Sequence, residues 1–306
     1  MLLADVKVFV EIAETGSFTA AAKALRAPKS SVARQLARLE DELGQPLIAR
    51  TTRSLRLTDN GKLFLPHARR LIDDEIEARN VLRSGGDGAS GLLTISAPST
   101  FGRRFLAPRL PEFLNQHPNV RVHLCLTAAK VQIGVGQSDL AFRLGALIEK
   151  GLASRALGAI DFALVASPAY LRARPPIATP LDLAGVDFIE LRPPAADHRI
   201  ALFRAGVEQS LHYVPRLEMD DPDGVKATAT AGAGVAALPR FLVEAELRRG
   251  ELLHVLPDWA PASAALHLVY GSNSAPSLRV RAFIDFVQAI WKDDFPWRSG
   301  MNSPPG

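Results

Sequence analysis

FTAAAKALRAPKSSVARQLARLEDELGQPLIARTTRSLRLT, residues 18–58, decides how the N-terminal part of this chain folds. Lys23, Arg26, Lys29, Arg34, Arg38, Arg50, Arg53 and Arg56 stand against only Glu40, Asp41 and Glu42. That is a net charge of +5, while the whole 306-residue chain carries +4. Positive charge concentrated in one small helical unit is the electrostatic footprint of a nucleic-acid reader. Val32, Leu36, Leu39 and Leu43 recur as one stripe of a helix. At about 100° per residue, Ser30, Ser31, Arg34, Gln35 and Arg38 fall on the opposite side, with Lys29 at the helix start. Short hydroxyls, an amide and guanidinium groups are what reads base edges or grips phosphates in a major groove. Phe18 to Leu25 reads as a short Ala-rich helix that Arg26-Ala27-Pro28 breaks, and Pro28 suits the start of the next helix. Short helix, tight turn and longer basic helix together make a helix-turn-helix. A solvated surface helix in an ordinary bundle would share the charge and the turn.

The residues that follow separate the two readings. Gly44 stops the helix at the position that favours a left-handed residue. Gln45 to Ala49 and Ser54 to Leu57 read as short extended runs around Arg50-Thr51-Thr52-Arg53, a hairpin with a basic tip placed beside the groove as a wing. Ala20-Ala21-Ala22, Leu25, Pro28-Lys29-Ser30-Ser31-Val32, Arg34-Gln35-Leu36, Leu39-Glu40, Leu43-Gly44, Pro46-Leu47, Arg50-Thr51-Thr52-Arg53 and Leu57-Thr58-Asp59-Asn60-Gly61 form a pattern by which the chain resembles the LysR-type transcriptional regulators. The likeness is unbroken from residue 2 to about 72 and continues more weakly to about 290. One departure is Ala33, where many members have Ser. The resemblance implies DNA contacts by Lys29, Ser30, Ser31, Arg34, Gln35, Arg38, Arg50, Thr52 and Arg53.

Composition agrees with two or three globular domains: the chain is 47% hydrophobic, ordinary for a folded protein. The one cysteine, Cys125, excludes an intrachain disulfide. The opening MLLADVKVFVEIAETGS carries Asp5 and Glu11 within its apolar run and lacks the basic start of a signal peptide. Leu2, Val6, Phe9 and Ala13 instead share one face of an amphipathic helix. No apolar run approaches a membrane span, so a cytoplasmic protein without membrane contact is expected.

Thr58 is placed to cap a helix starting at Asp59 and running to about Leu82. Phe64, Ala68, Leu71, Ala78 and Leu82 make one apolar flank; Leu65, Ile72 and Ile76 make another. That is more apolar surface than one core needs, and the resemblance implies a dimer-forming linker helix. Pro66 predicts a kink or break there. Residues 84–91, SGGDGASG, read as a flexible hinge. The expected organisation is a winged helix-turn-helix at 1–58, a linker helix at 59–83, the hinge, an effector domain at 92–292 and a fraying tail at 293–306. Beyond the hinge, Leu92–Ser96, Val120–Leu126, Leu140–Arg143, Phe162–Ala166, Phe188–Leu191, Val235–Leu238 and Leu266–Tyr270 read as strands. Arg104–Gln116, Gln132–Gln137, Pro222–Ala231, Phe241–Arg248 and Ser277–Lys292 read as helices. The alternation argues for parallel α/β sheets. The resemblance makes them two lobes of a periplasmic-binding-protein-like domain, lobe I at about 92–161 and 267–292 and lobe II at about 162–266.

Other motifs carry less. Ala231-Gly232-Ala233-Gly234-Val235-Ala236-Ala237 has the glycines of a dinucleotide fingerprint in the wrong order, with a helix before and a strand after, so a tight helix-to-strand turn is expected. His67, His117, His123, His198, His212, His254 and His267 include no i, i+4 pair. His123 and Cys125 alternate on one strand, too few for a metal site of three or four ligands. There is no Gly-x-Ser-x-Gly elbow. No catalytic residue, metal or cofactor is expected.

Pro98-Ser99-Thr100-Phe101-Gly102 follows a strand and precedes a helix, where hydroxyls and free N–H groups suit a carboxylate. A plain N-cap by Ser99 or Thr100 reads equally well from spacing. The resemblance favours the first, because family members hold a small-molecule effector between the lobes against this turn. Thr127 and the stretch Ile200–Arg204, with Phe203, match other walls of that cleft. Arg143 ends a strand where it pairs either with a carboxylate ligand or with a structural acid. Gln132 stands where the family often has Asp. The expected protein is therefore a LysR-type regulator that binds double-stranded promoter DNA as a homo-oligomer, dimer or tetramer, and answers to a small organic acid. A solute-binding carrier and a ligand-independent DNA-binding protein are the alternatives.

Overall fold

The structure is a computed structural model that describes residues 1–50, 55–84, 88–127, 133, 138–145, 151–191, 198–271, 276–292 and 295–297. Its first unit is built from α1 (Leu3–Thr15), α2 (Phe18–Ala24) and α3 (Lys29–Leu43), followed by the antiparallel pair β1 (Ile48–Arg50) and β2 (Leu55–Leu57). Each boundary has a local cause. Gly16 and Gly44 end α1 and α3 with φ of 64° and 65°, conformations that glycine adopts without a Cβ clash. Ser17 caps α2 by accepting from the Ala20 N–H. Val6, Phe9, Val32, Leu36 and Leu39 are fully withdrawn from water in one core, whereas Leu43, the last member of the expected stripe, is 37% exposed. Leu2 is exposed as well. Both lie at helix ends, where the core no longer covers the side chain.

α4 (Asp59–Ser84) runs on from β2. Thr58 caps it, its Oγ1 accepting from the Gly61 N–H at 2.9 Å and donating to the Pro46 carbonyl. The backbone of Gly61 passes so close to the wing that an added Cβ would lie 2.0 Å from the Leu47 carbonyl oxygen. Phe64, Leu65, Ala68 and Ile72 pack on the first core, with the Phe64 ring 5.6 Å from that of Phe9. Lys7 to Glu75 at 2.8 Å and Arg69 to Glu14 at 3.1 Å tie α4 to α1. The helix is continuous through Pro66, so the expected break does not occur. Proline removes the bond to the carbonyl four residues back, here that of exposed Lys62, where water can replace it.

The rest of the chain forms two five-stranded sheets. The first comprises β3 (Gly91–Ala97), β4 (Val120–Leu126), β5 (Leu140–Leu144), β6 (Leu152–Ile160) and β15 (Ala264–Gly271), in the order β4-β3-β5-β15-β6. The second comprises β7 (Phe162–Ala166), β8 (Phe188–Leu191), β11 (Pro215–Met219), β12 (Val235–Pro239) and β13 (Leu253–His254), in the order β11-β8-β12-β7-β13. A three-stranded sheet of β9 (Arg199–Arg204), β10 (Val207–His212) and β14 (Ala260–Pro261) lies on the second lobe. The expected parallel sheets are mixed instead. β3, β4 and β5 are parallel, as are β8, β11 and β12, but β15 runs antiparallel to β5 and β6, and β7 antiparallel to β12 and β13. The reversal follows from the chain's two passages between sheets, one at β6 to β7 and one at β14 to β15. The returning strand begins at Ala264, three residues before the expected crossing.

The helices are α5 (Ser99–Phe101), α6 (Leu110–Gln116), α7 (Pro168–Arg172), α8 (Pro222–Thr230), α9 (Arg240–Arg249) and α10 (Leu278–Ile290). α5 reaches α6 through a π turn at Gly102–Leu106 and a 3-10 turn at Ala107–Arg109, so the expected helix over 104–116 is not uniform. The expected helix over 132–137 falls almost wholly outside the described residues. Phe101, Phe113, Phe142, Phe283 and Trp291 fill the first lobe's core. Trp297, expected to fray, is wholly buried there, its ring 5.1 Å from Phe101 and 4.8 Å from Trp291. Large aromatic area buried against other rings holds that segment down. In the expected hinge, Ala89 and Ser90 are likewise buried; 85–87 lie outside the described residues. The glycines of the dinucleotide-like motif make the α8-to-β12 turn: Gly232 has φ +90°, and a Cβ on Gly234 would lie 2.2 Å from the Asp187 carbonyl oxygen.

Candidate nucleic-acid interface and effector cleft

α3 exposes Lys29, Ser30 and Arg34, with Ser31 and Gln35 half-buried beside them. The Arg34 Nε leans on the Ser30 carbonyl at 3.4 Å, leaving the rest of its guanidinium to project outward. Arg38 is differently engaged. Its Nε and Nη2 donate to the two carboxylate oxygens of Asp5 at 2.7 and 2.5 Å. Asp5 is 0% exposed, and an unpaired charge there would be costly. The hydrogen bond to Asp5 raises the Arg38 pKa further. Arg38 therefore spends its fork on locking α1 to α3. Glu40 performs a related task, one carboxylate oxygen accepting from the Leu47 and Ile48 N–H groups at 2.7 and 2.9 Å and fixing where the wing begins. The Arg56 side chain is exposed on β2. Thr52, Arg53 and the side chain of Arg50 lie outside the described residues.

In the first lobe, β3 has parallel neighbours on both sides, β4 and β5. Connections that diverge from one strand leave a crevice at its carboxyl end, where α/β sheets bind ligands. Ser99 and Thr100 follow β3 directly, Ser99 half-buried and Thr100 7% exposed. Thr127 follows β4, its N–H donating to the Ala97 carbonyl at 2.9 Å. Arg143 lies two residues beyond Ala141, the partner of Ser96, and opposite His267 of β15. Four of the expected effector residues are thus gathered at one sheet edge. Phe203 is not among them. It sits on β9 opposite Glu208 and Ala260, 40% exposed. The second-lobe groups that reach the first lobe are others: Asp223 accepts from Arg103 at 2.5 Å, and Phe241 meets Phe105 edge-on at 4.9 Å.

Residues 3–62 match the bacterial regulatory helix-turn-helix protein, lysR family, and residues 86–292 match the LysR substrate binding domain. The chain belongs to the LysR family of transcriptional regulators. It is 36% identical over 281 residues to the transcriptional regulator PtxR of Pseudomonas aeruginosa, covering 92% of this chain and 90% of PtxR. The full-length Vibrio cholerae virulence activator AphB superposes with a TM-score of 0.58 at 27% identity, covering 94% of this chain and 99% of that one. CrgA of Neisseria meningitidis superposes with a TM-score of 0.58 at 28% identity, covering 95% and 99%. The chain is thus a LysR-type DNA-binding regulator with an effector-binding domain, and its relatives are regulators rather than enzymes. Among the described residues no helix is long and apolar enough to cross a membrane.

Two functional contacts of this LysR-type regulator escape a reading of the sequence. Asp5 registers there only as a charge interrupting an apolar run. A lone acid next to core positions Val6 and Phe9 is nevertheless a signal, because it requires a cationic partner. The inter-lobe contact of Arg103 with Asp223 spans 120 positions and leaves no local trace.

Proposed function

We propose that this regulator binds promoter DNA as a cytoplasmic homo-oligomer joined through α4, and that its effector is a small organic acid held at the carboxyl edge of the first lobe's sheet. Residues 1–58 serve as the DNA-reading unit, with Lys29, Ser30, Ser31, Arg34 and Gln35 at base edges and phosphates and Arg50, Thr52, Arg53 and Arg56 on the backbone beside the groove. The observation that carries the effector reading is the gathering of Ser99, Thr100, Thr127 and Arg143 at the carboxyl ends of β3, β4 and β5. Hydroxyls and a guanidinium together suit a carboxylate. Phe203 of β9 stays the expected wall from the second lobe, and Asp223, bonded to Arg103, is a further second-lobe group facing lobe I. Effector binding that favours one spacing of the lobes shifts the packing of subunits and so the bend in the DNA.

The test begins with thermal-shift screening of the full chain against small carboxylic acids, since a ligand that binds only the folded state raises the melting temperature. Ser99→Ala should weaken the acid found by about 1–2 kcal/mol, the lost bond being to a charged group. Operator affinity without effector should stay unchanged. An undiminished effector response in Ser99→Ala removes the site, and no stabilisation by any acid removes the effector class.

A further inference from the structure

We propose that the second lobe carries a site for a first-row divalent transition metal, formed by Glu190, His198 and Glu218. One donor atom from each of the three lies within 4.8 Å of the other two. The arrangement follows from strand register. β8 and β11 are parallel neighbours in which Glu190 and Glu218 are direct partners. Ile189, Leu191, Leu217 and Met219 belong to the core under α8, so alternation sends both carboxylates to the other face. Like charges directly opposite on adjacent strands destabilise a sheet, and a cation between them reverses that sign.

His198 supplies the third donor. It stands immediately before β9, and its ring enters between the carboxylates, Nδ1 2.7 Å from the Glu190 Oε2 and Nε2 3.8 Å from the Glu218 Oε1. Of the described arginines nearby, Arg199 pairs with Glu208 and Ser210, and Arg216 with Asp187.

The surroundings resemble those of a metal ligand set. Glu190 is 8% exposed, and the Tyr213 ring stands 6.3 Å from that of His198. The Tyr213 ring is itself fixed by stacking on Phe188 at 4.1 Å. Such outer contacts orient a metal ligand. Ligands about 2.0–2.2 Å from a common ion stand roughly 3–4 Å apart, so closing the site takes only a small rotation, available to Glu218 at 31% exposure. One imidazole with two carboxylates suits zinc, iron or manganese rather than magnesium or calcium, which take oxygen alone. Three protein donors leave a position for water. A bound ion would fasten the β9–β10 hairpin, through His198, to the main sheet. None of this depends on the identity of the effector.

The test uses the full chain, stripped with a chelator and titrated calorimetrically with zinc chloride, alongside His198→Gln and Glu218→Gln. Circular dichroism melts without metal establish that the variants fold, which the exposure of Glu218 favours. The expected result is one stoichiometric site in the wild type, a zinc-dependent rise in its melting temperature, and binding weaker by at least roughly tenfold in each variant. Cobalt bound at the same stoichiometry should show visible absorption that the variants lose. The inference is overturned if the wild type has no stoichiometric site, if both variants bind like the wild type, so that other histidines or Cys125 hold the ion, or if excess magnesium displaces the zinc.

Discussion

Asp5 and Arg38 share one ion pair but not one environment: the carboxylate is fully buried, while the arginine side chain is 54% exposed. Removing Arg38 leaves a buried charge without its partner. Arg38→Ala should therefore lower the melting temperature, less than for a fully buried pair because water reaches one side. Adding Asp5→Asn to Arg38→Ala should restore part of the loss, since the stranded charge is then gone. Equal melting of Arg38→Ala and wild type would show that the pair contributes nothing. Arg34 gives the opposite expectation. With only a weak bond to its own helix, Arg34→Ala should melt like wild type yet weaken specific operator binding by about 1–3 kcal/mol. Wild-type affinity in that variant would remove this face of α3 from the interface. The two arginines are indistinguishable in the sequence, both on the polar side of one stripe. What separates them is a carboxylate 33 positions away, which periodicity within α3 does not reveal.

α4 meets the first lobe through charge as well as packing. Arg279 of α10, 2% exposed, reaches Asp74 at 3.4 Å, and the carbons of Asp73 lie 3.6 Å from the place a Cβ on Gly91 would take. Burial holds the Asp73 carboxyl above the usual carboxylate range, with Arg279 and Arg121 pulling the other way. An acid with a raised pKa binds its proton more tightly folded than unfolded, so stability falls as pH rises from about 4 through the raised value. Asp73→Asn should thus raise the melting temperature by a few degrees at neutral pH and flatten its decline between acid and neutral pH. A lower melting temperature at neutral pH would mean that the arginines outweigh desolvation. Elements were legible in the sequence in proportion to their burial. β7 and β12 are continuous apolar runs, and β3 and β8 are interrupted only by Thr94, Ser96 and Glu190, so all four stand out. β10 and β11 alternate exposed residues with half-buried ones, and β9 buries only Ile200 and Leu202, a weak signal in a stretch of which only Ile200–Arg204 reads as a cleft wall. β13 and β14, two residues each, give none.

Across the whole molecule the two lobes repeat one arrangement, a strand with parallel neighbours on both sides, β4-β3-β5 and β11-β8-β12. The sequence shows the strands that compose it except β11, but not the two crossings, which depend on pairings more than 100 residues apart, such as β6 with β15. Assembly is the other property of this scale. α4 reads in sequence as a helix with two apolar flanks, and the fold separates their roles. Phe64, Leu65, Ala68 and Ile72 are used inside the chain, so Ile72→Asp would damage the protomer itself. Leu63 and Leu71 remain 72% and 38% exposed, and about 80° apart at 100° per residue they lie on one side. A second α4 against that side would bury them, and a charge placed there would be buried without a partner. Leu71→Asp should therefore convert the oligomer to monomers in sedimentation at micromolar concentration, with the protomer's own melting little changed. Operator affinity should fall with it, because two half-sites are then no longer held together. An unchanged sedimentation profile in Leu71→Asp would take the dimer contact away from this face of α4.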